Sequence, residues 1–193
     1  IDYIKRDHQQ PFALSIGFKS PHIPFIPPAR AKNRFTGEKV GFVENFYHDA
    51  IFRQGMNDGK ADIPREEQPL WALNYFQCIS AIDDNIGRLM ATLEQQGLIE
   101  NTVVIFTSDN GYYMGEHALG DYMGDKRSAY EEGLRVPLLV HFPNKVPNKE
   151  SNEQTNNTPK SNISEEMVLN IDLAPTLLDL AGIDIPKQMQ GKS

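Results

Sequence analysis

The chain has 193 residues, of which 39% are hydrophobic and 23% are charged, a balance that argues against a disordered protein. Nineteen basic residues against 26 acidic residues make the formal net charge −7, which disfavours a nucleic-acid binder because such proteins present a basic stripe. No apolar run approaches the roughly 20 residues that cross a bilayer, and the single cysteine, Cys78, excludes an intrachain disulfide and a cysteine-based zinc site.

The N-terminal part of the sequence predicts a buried strand followed by a stiff loop. Residues 12–17 form a short apolar run between a proline and a glycine, which favours a strand. Residues 19–28 contain four prolines. Proline lacks a backbone N–H and disfavours helix in the residue before it, so this segment is expected to be an extended loop at the carboxyl end of the strand. Residues 30–64 are mixed in character and predict irregular surface.

A long helix is predicted from about Pro69 to Gln96. Apolar residues recur along it at steps of three and four and make one stripe that is typical of a core-facing helix side: Ile79, Ile82, Ile86, Leu89 and Leu93. Gly97 follows as a natural helix stop.

The C-terminal half predicts two strands and a last helix. Residues 102–107 (TVVIFT) are a continuous, mostly β-branched run that favours a parallel strand buried on both faces, and residues 138–142 are a second candidate. The polar segment 144–166 predicts a mobile surface loop without a functional role, and Asp172 is expected to cap a helix over 173–181. This order of elements predicts an α/β fold with a parallel sheet, in which ligands bind at the carboxyl ends of the strands.

The glycine-rich loop after residue 107 contains a candidate cation site and a candidate anion site. Asp109 and Asn110 follow the strand directly, and their side-chain oxygens suit Ca²⁺ or Mg²⁺, although such a pair by itself is more typical of a plain Asx turn. Lys126 stands at the end of this loop, where its ammonium can hold an oxyanion or can simply pair with Asp125 at the surface.

Two histidines have comparable positions. His22 is framed by Pro21 and Pro24, which hold the backbone stiff and present the imidazole at a strand end, either as a donor or general acid or as a solvated side chain. His117 is similarly placed, with weaker framing.

Taken together and in order, the segments of the chain resemble the sulfatase family of the alkaline-phosphatase-like superfamily. The segments that carry the resemblance are PFALSIGFKSPHIP, YFQCISAIDDNIGRL, NTVVIFTSDNGYYMGEH and DKRSAYEEGLRVPLLV, with residues 172–182 and 189–193 (MQGKS) fitting the later part of the family. Within the family, KSPHIPF and GYYMGEH resemble most closely the iduronate-2-sulfatase-like branch.

The resemblance implies a fold and residue roles. The fold is an α/β, alkaline-phosphatase-like sandwich with a largely parallel central sheet flanked by helices, incomplete in this chain. Asp109 and Asn110 match the pair that supplies the second half of the Ca²⁺ ligands, and Lys126 matches the lysine that contacts the substrate sulfate. His22 matches the histidine near the sulfate and the leaving oxygen. His117 matches a histidine common in this branch and is assigned to substrate binding without a fixed role.

The sequence also departs from the family pattern. The family nucleophile is a formylglycine made in a Cys/Ser-x-Pro/Ala-x-Arg motif, which these residues do not contain, and Cys78 lies in the middle of the predicted helix. The metal-binding Asp-Asp pair that precedes the nucleophile is also absent, and Asp83-Asp84 on the helix is not a substitute. Residues 1–193 are therefore predicted to be a middle-to-late part of one sulfatase catalytic domain, inactive by itself.

The implied activity is hydrolysis of sulfate esters, preferably of sulfated sugars, by a Ca²⁺-dependent formylglycine mechanism. The resemblance further implies an extracytoplasmic location, whether periplasmic, secreted or lysosomal. Two alternatives stay open: a phosphodiesterase or phosphonate monoester hydrolase of the same superfamily, and a non-catalytic remnant of such an enzyme.

Overall fold

The computed structural model divides the chain into two compact units, Ile1–Pro147 and Asn148–Ser193. The residues that it describes are 1–38, 41, 43–46, 66–119, 126, 128–143 and 163–193. Most of the irregular surface expected at 30–64 and most of the loop expected at 144–166 lie outside the described residues. The described parts, 30–38, 41, 43–46 and 163–166, contain no regular helix or strand.

The predicted long helix is confirmed as α1, Gln68–Gln95. Gly97 adopts a left-handed backbone conformation, with φ at +66°, and the Leu98 N–H donates to the Leu93 carbonyl, which closes the helix end. The buried face includes Ile82 and Leu93 of the predicted stripe but is displaced from it elsewhere, because Gln77 and Ala81 are buried whereas Ile79 is 39% exposed.

Gln77 explains this displacement. Its side chain is buried, and its Nε2 donates to the backbone carbonyls of Lys32 at 2.8 Å and Arg34 at 2.9 Å. A polar side chain is buried at low cost only when its hydrogen bonds are made, so the segment around residues 32–34 is what turns this side of α1 inward.

Asp84 belongs to the same contact between the two segments. Arg34 Nη2 lies 3.0 and 2.8 Å from its two carboxylate oxygens, and Arg30 Nε lies 3.6 Å from Oδ2. The carboxylate is thus engaged by two guanidinium groups.

Replacing Gln77 by leucine is expected to lower the free energy of unfolding by about 1–3 kcal/mol, because two backbone carbonyls lose their donor inside the protein. Urea unfolding of the variant measures this loss. The matched control is Gln95→Leu, since Gln95 is exposed at the end of the same helix. Equal stability losses for the two variants would contradict the anchoring role.

The strands differ from the prediction in how they pair. Strand β1, Val104–Thr107, and strand β2, Leu138–His141, form a two-stranded antiparallel sheet in which Thr107 lies opposite Leu138. Among the described residues no parallel pair is present, and residues 12–17 are not assigned to a strand. An apolar run favours a strand but does not give the direction in which its neighbour runs, which is why the pairing was predicted wrongly.

The antiparallel pairing has a consequence for the loop between the strands. Because Thr107 and Leu138 are partners, residues 108–137 leave the sheet and return to it at the same end. The one-turn helix α2, Glu131–Leu134, lies on the returning part of this excursion. β1 is only partly buried along its length, and β2 is largely exposed, with Leu139 at 60% and Val140 at 48%, so the two-sided burial predicted for the first of these strands is not found.

The second unit is described from residue 163 and contains helix α3, Leu173–Leu180. Asp172 precedes α3, but its carboxylate does not cap the first turn as predicted. It instead accepts the backbone N–H groups of Lys192 and Leu169, each at 2.9 Å, which lowers the pKa of Asp172. The carboxylate therefore ties the C-terminal segment to the start of the helix. No helix among the described residues is long and apolar enough to cross a membrane.

Candidate active site

An aromatic cluster joins the proline-rich loop to the loop that follows β1. Phe25 is buried against α1 and packs edge-on against Tyr75 and Tyr112, with ring centroids 5.4 Å apart in both pairs. Ile23 and Cys78 are the other buried members of the cluster. The Phe25–Tyr112 contact places the His22 loop against the chain just after Asn110.

His22 is exposed, although its neighbours Ile23 and Phe25 are buried. Its Nδ1 lies 2.7 Å from the carbonyl oxygen of Ile23. A carbonyl can only accept, so Nδ1 carries a proton and Nε2 is the atom left for other chemistry. The neutral ring offers Nε2 as an acceptor, and the protonated ring offers it as a donor.

Asp109 and Asn110 form a tight turn at the end of β1. Asp109 Oδ1 accepts the backbone N–H of Asn110 at 3.0 Å, and the Ser108 hydroxyl donates to the Asn110 carbonyl at 2.9 Å. Asn110 Nδ2 donates to the Gly111 carbonyl at 2.6 Å, so the amide nitrogen is engaged within the turn. The side-chain oxygens of both residues are hard ligands of the kind Ca²⁺ takes.

These two residues supply only part of a calcium site, which requires six to eight oxygens. Within the described residues, no group of three or more His, Cys, Asp or Glu side chains could hold a metal ion. The donor chemistry of Asp109 and Asn110 thus fits the calcium assignment, and calcium binding itself stays a prediction.

Gly111 brings the returning chain directly beside this turn. Its N–H donates to the carbonyl of Gly133 at 2.9 Å, and a Cβ at position 111 would overlap the carbonyl oxygen of Glu132. A glycine is therefore required for the two backbones to approach this closely.

His117 is held by a polar cluster. Its Nε2 lies 3.3 Å from Glu132 Oε2, and Asn45 Nδ2 lies 3.3 Å from Glu132 Oε1. The backbone N–H of His117 donates to the Asn45 carbonyl at 3.1 Å, and the imidazole ring of His117 stacks on Tyr130 with centroids 3.9 Å apart. These contacts indicate that His117 joins loops, and its predicted part in substrate binding stays a prediction.

Lys126 is half-buried, and its neighbours at 120–125 and 127 lie outside the described residues, so the alternative pairing with Asp125 is not described. Ser128, two residues later, accepts or donates a hydrogen bond at 2.8 Å between its Oγ and the hydroxyl of Tyr113. Contacts therefore link the His22 loop to the chain after Asn110, and link that chain to the segment after Lys126. The convergence of His22, Asp109, Asn110 and Lys126 themselves stays a prediction.

Sequence reasoning missed Tyr113, Asn45 and Glu132. Tyr113 and Glu132 lay inside the quoted segments but were not singled out. The sequence signal for Tyr113 was a large aromatic residue inside a glycine-rich loop. Such a side chain is buried only if the loop folds around it. Asn45 left no local signal, because its partner Glu132 is 87 residues away.

Glu116 is the acidic group in this region whose ionisation the structure perturbs. Burial raises the pKa of the Glu116 carboxyl, and nearby Glu132 raises it further. Hydrogen bonds from the backbone N–H groups of residues 116 and 114 and the proximity of His117 lower it, but the net pKa is raised. Burial also raises the pKa of Tyr75, and the negative charge of Glu116 adds to that shift. Glu116 Oε2 accepts the Met114 N–H at 2.5 Å, so the carboxylate is part of the loop's own hydrogen bonding.

The raised pKa of Glu116 predicts a pH-dependent stability. The folded chain holds the proton more tightly than the unfolded chain, so this group favours folding below the ordinary glutamate pKa of about 4.3. That contribution is lost as the pH rises through the folded-state pKa. We expect Glu116→Gln to be more stable, relative to the wild type, at pH 7 than at pH 4, as measured by urea unfolding at both pH values. Glu94→Gln, at an exposed position of α1, is the control, and an equal pH dependence in both variants would contradict this expectation.

Comparison with known proteins decides the family. Residues 1–183 match the sulfatase family model. The chain belongs to the sulfatase family. This confirms the resemblance read from the ordered motifs, including the segments that contain His22, Asp109 and Lys126.

Similar curated proteins are sulfatases by name. The N-acetylglucosamine-6-O-sulfatase of Bacteroides thetaiotaomicron is 36% identical over 144 residues, covering 75% of this chain and 23% of that protein. The human N-acetylglucosamine-6-sulfatase is 31% identical over 199 residues, covering 100% of this chain and 33% of that protein. An extracellular sulfatase homologue of Drosophila melanogaster is 27% identical, covering 98% of this chain and 16% of that protein. The chain thus spans about a third or less of the length of these relatives.

Solved structures share the fold. A Bacteroides thetaiotaomicron structure, described for the metabolism of multiple glycosaminoglycans, is 26% identical with a TM-score of 0.72 and covers 100% of this chain and 36% of that one. The phosphonate monoester hydrolase of Silicibacter pomeroyi is 25% identical with a TM-score of 0.55, covering 68% of this chain and 23% of that one. The α/β fold of sulfatases is therefore confirmed for this chain, while the parallel arrangement of its sheet is not.

Proposed function

We propose that the protein containing this chain hydrolyses sulfate esters of sugars, and that the chain contributes part of the sulfate-binding side of the active site. The observation that carries the proposal is the contact between the His22 loop and the chain that follows Asp109 and Asn110, made through Phe25 and Tyr112. That contact would place a histidine donor beside metal-binding oxygens, which is the combination that sulfate transfer needs.

In this proposal each residue has one task. Lys126 holds an oxygen of the sulfate with its ammonium and stabilises the negative charge that develops there. His22 acts through Nε2, since Nδ1 is engaged by the Ile23 carbonyl, and protonates the departing alkoxide when the ring is doubly protonated. Asp109 and Asn110 would hold a calcium ion, which when bound would supply positive charge that stabilises the sulfate.

The nucleophile of the proposed reaction is the family's formylglycine. Its motif does not occur in these 193 residues, so it would be supplied from outside them, and the 193 residues alone are expected to be inactive. We place the enzyme outside the cytoplasm, and the name of the extracellular Drosophila relative supports this location.

The substrate class is proposed from the relatives. Those at 36% and 31% identity are named for N-acetylglucosamine 6-sulfate, which supports a sulfated hexosamine. The sequence resemblance to the iduronate-2-sulfatase-like branch makes a sulfated uronic acid the competing sugar.

The test is a comparison of substrates with the full-length enzyme, using 4-nitrophenyl sulfate, N-acetylglucosamine 6-sulfate and iduronate 2-sulfate. We expect kcat/KM to be higher for the sulfate esters than for 4-nitrophenyl phenylphosphonate. The similarity to the phosphonate monoester hydrolase makes the phosphonate the informative alternative. A higher kcat/KM on the phosphonate would favour that hydrolase class, and no turnover of any ester would favour the non-catalytic remnant.

A further inference from the structure

Tyr113 makes a buried hydrogen-bonded link between two stretches of the loop that joins β1 and β2. Its side chain is fully buried, with 0% exposure, and packs with Leu119 and Tyr130. Its hydroxyl lies 2.8 Å from Ser128 Oγ and 3.3 Å from the Ser128 carbonyl oxygen. A buried phenol whose hydroxyl meets two atoms of one residue restricts where that residue can lie.

The spacing of the two partners connects this link to the proposed site. Tyr113 follows Asn110 by three residues, and Ser128 follows Lys126 by two. The separations are short, so we expect a displacement of Ser128 relative to Tyr113 to displace Lys126 relative to Asn110 as well. A residue spans at most about 3.6 Å of extended chain, so Lys126 lies within two such lengths of the anchored Ser128.

Neighbouring contacts show that this region is built around the tyrosine. A Cβ at Gly133 would lie 2.7 Å from the Tyr113 hydroxyl oxygen, so the glycine leaves the room that the phenol occupies. The Gly111 N–H bond to the Gly133 carbonyl holds the same two stretches together beside Asn110.

We propose that Tyr113 is a positioning residue for Lys126: through Ser128 it holds the ammonium-bearing segment at the working distance from Asp109 and Asn110. The proposal rests on the proposed function, because it assigns Tyr113 an effect on turnover only through Lys126. Tyr113 is not expected to touch the substrate, since its ring is fully buried.

The experiment is a double-mutant cycle in the full-length enzyme with 4-nitrophenyl sulfate, comparing Tyr113→Phe, Lys126→Ala and the pair. Tyr113→Phe keeps the packed ring and removes only the hydroxyl, and we expect kcat to fall on the order of tenfold, as for the loss of one net hydrogen bond. In the Lys126→Ala background the same change is expected to alter kcat by less than about twofold, because coupled residues are not additive. Ser128→Ala should reproduce the behaviour of Tyr113→Phe.

Thr92→Val is the matched control, because it removes a buried hydroxyl that donates to the Arg88 carbonyl at 2.7 Å within α1 and lies outside the loop between β1 and β2. Its kcat is expected to stay near the wild-type value. Equal falls in kcat for Tyr113→Phe with and without Lys126 would overturn the positioning role and leave only a general structural one.

The outcomes separate the two proposals. If Lys126→Ala is impaired while Tyr113→Phe turns over normally, only the positioning role fails. If Lys126→Ala itself turns over normally, the sulfate-binding role in the proposed function fails, and the link to turnover through Tyr113 fails with it. Thermal melts of each single variant identify a loss of kcat that comes only from unfolding.

Discussion

Replacing Lys126 by alanine is expected to lower sulfate-ester turnover on the order of a hundredfold or more, as loss of one charge-stabilising donor does. The ammonium is expected to interact more strongly with the transition state than with the bound ester, so kcat should fall more than KM rises. Because Lys126 is half-buried, we expect a stability loss of about 1 kcal/mol, the ordinary cost of a single substitution. Turnover of 4-nitrophenyl sulfate and a thermal melt are measured on the same preparation.

Two further variants define what the lysine contributes. Lys126→Arg keeps the charge but replaces a compact ammonium by a planar fork, so it should recover only part of the lost turnover. Lys32→Ala removes an exposed lysine from the segment that packs on α1 and is expected to leave turnover unchanged. Near wild-type turnover of a folded Lys126→Ala variant would return Lys126 to the surface ion pair that its sequence also permits.

Replacing Asp109 by alanine is expected to weaken calcium binding and to lower turnover more than a hundredfold, since metal-ion stabilisation of transition-state charge is worth several kcal/mol. The turn itself is expected to persist, because the Ser108 hydroxyl and the Gly111–Gly133 backbone bond hold its remaining atoms. Calcium titration by calorimetry and turnover with and without a chelator are the measurements.

The control for Asp109 is Asp83→Ala, which removes an exposed carboxylate from α1. Asp109→Asn retains a neutral oxygen ligand and is expected to lie between alanine and the wild type in calcium affinity. A chelator-sensitive enzyme whose calcium affinity is the same in Asp109→Ala and the wild type would place the metal elsewhere in the protein.

Local patterns were sufficient for the elements whose character repeats along the chain. The three- and four-residue spacing predicted α1 within one residue at each end, and β1 and β2 were located by their apolar runs. The same reasoning was only partly right about the inward face of α1: Ile82 and Leu93 are buried, but the burial of Gln77 depends on two carbonyls more than 40 residues away. It was also wrong about the cap of α3, since Asp172 binds the N–H of Lys192, 20 residues later.

The candidate site divides in the same way. His22, Asp109, Asn110 and Lys126 could be singled out because their residue types, the prolines around His22 and the apolar run before Asp109 are visible in the sequence. Glu132 and Asn45 could not, because their contact joins residues that are 87 positions apart. Tyr113 had a local signal as an aromatic residue in a glycine-rich loop, but that signal does not identify its partner Ser128.

The sequence by itself determined the family, the long helix, the location of the two strands and the residue types available for chemistry, because each of these depends on patterns among residues that are close along the chain. Only the tertiary structure decided that β1 and β2 run antiparallel, so that the loop after Asp109 returns to its own starting end. Only the tertiary structure decided that Tyr113 is tied to Ser128 and His117 to Glu132. The physical reason is that hydrogen bonds and packing between distant segments depend on how the whole chain closes, and no periodic pattern records that closure.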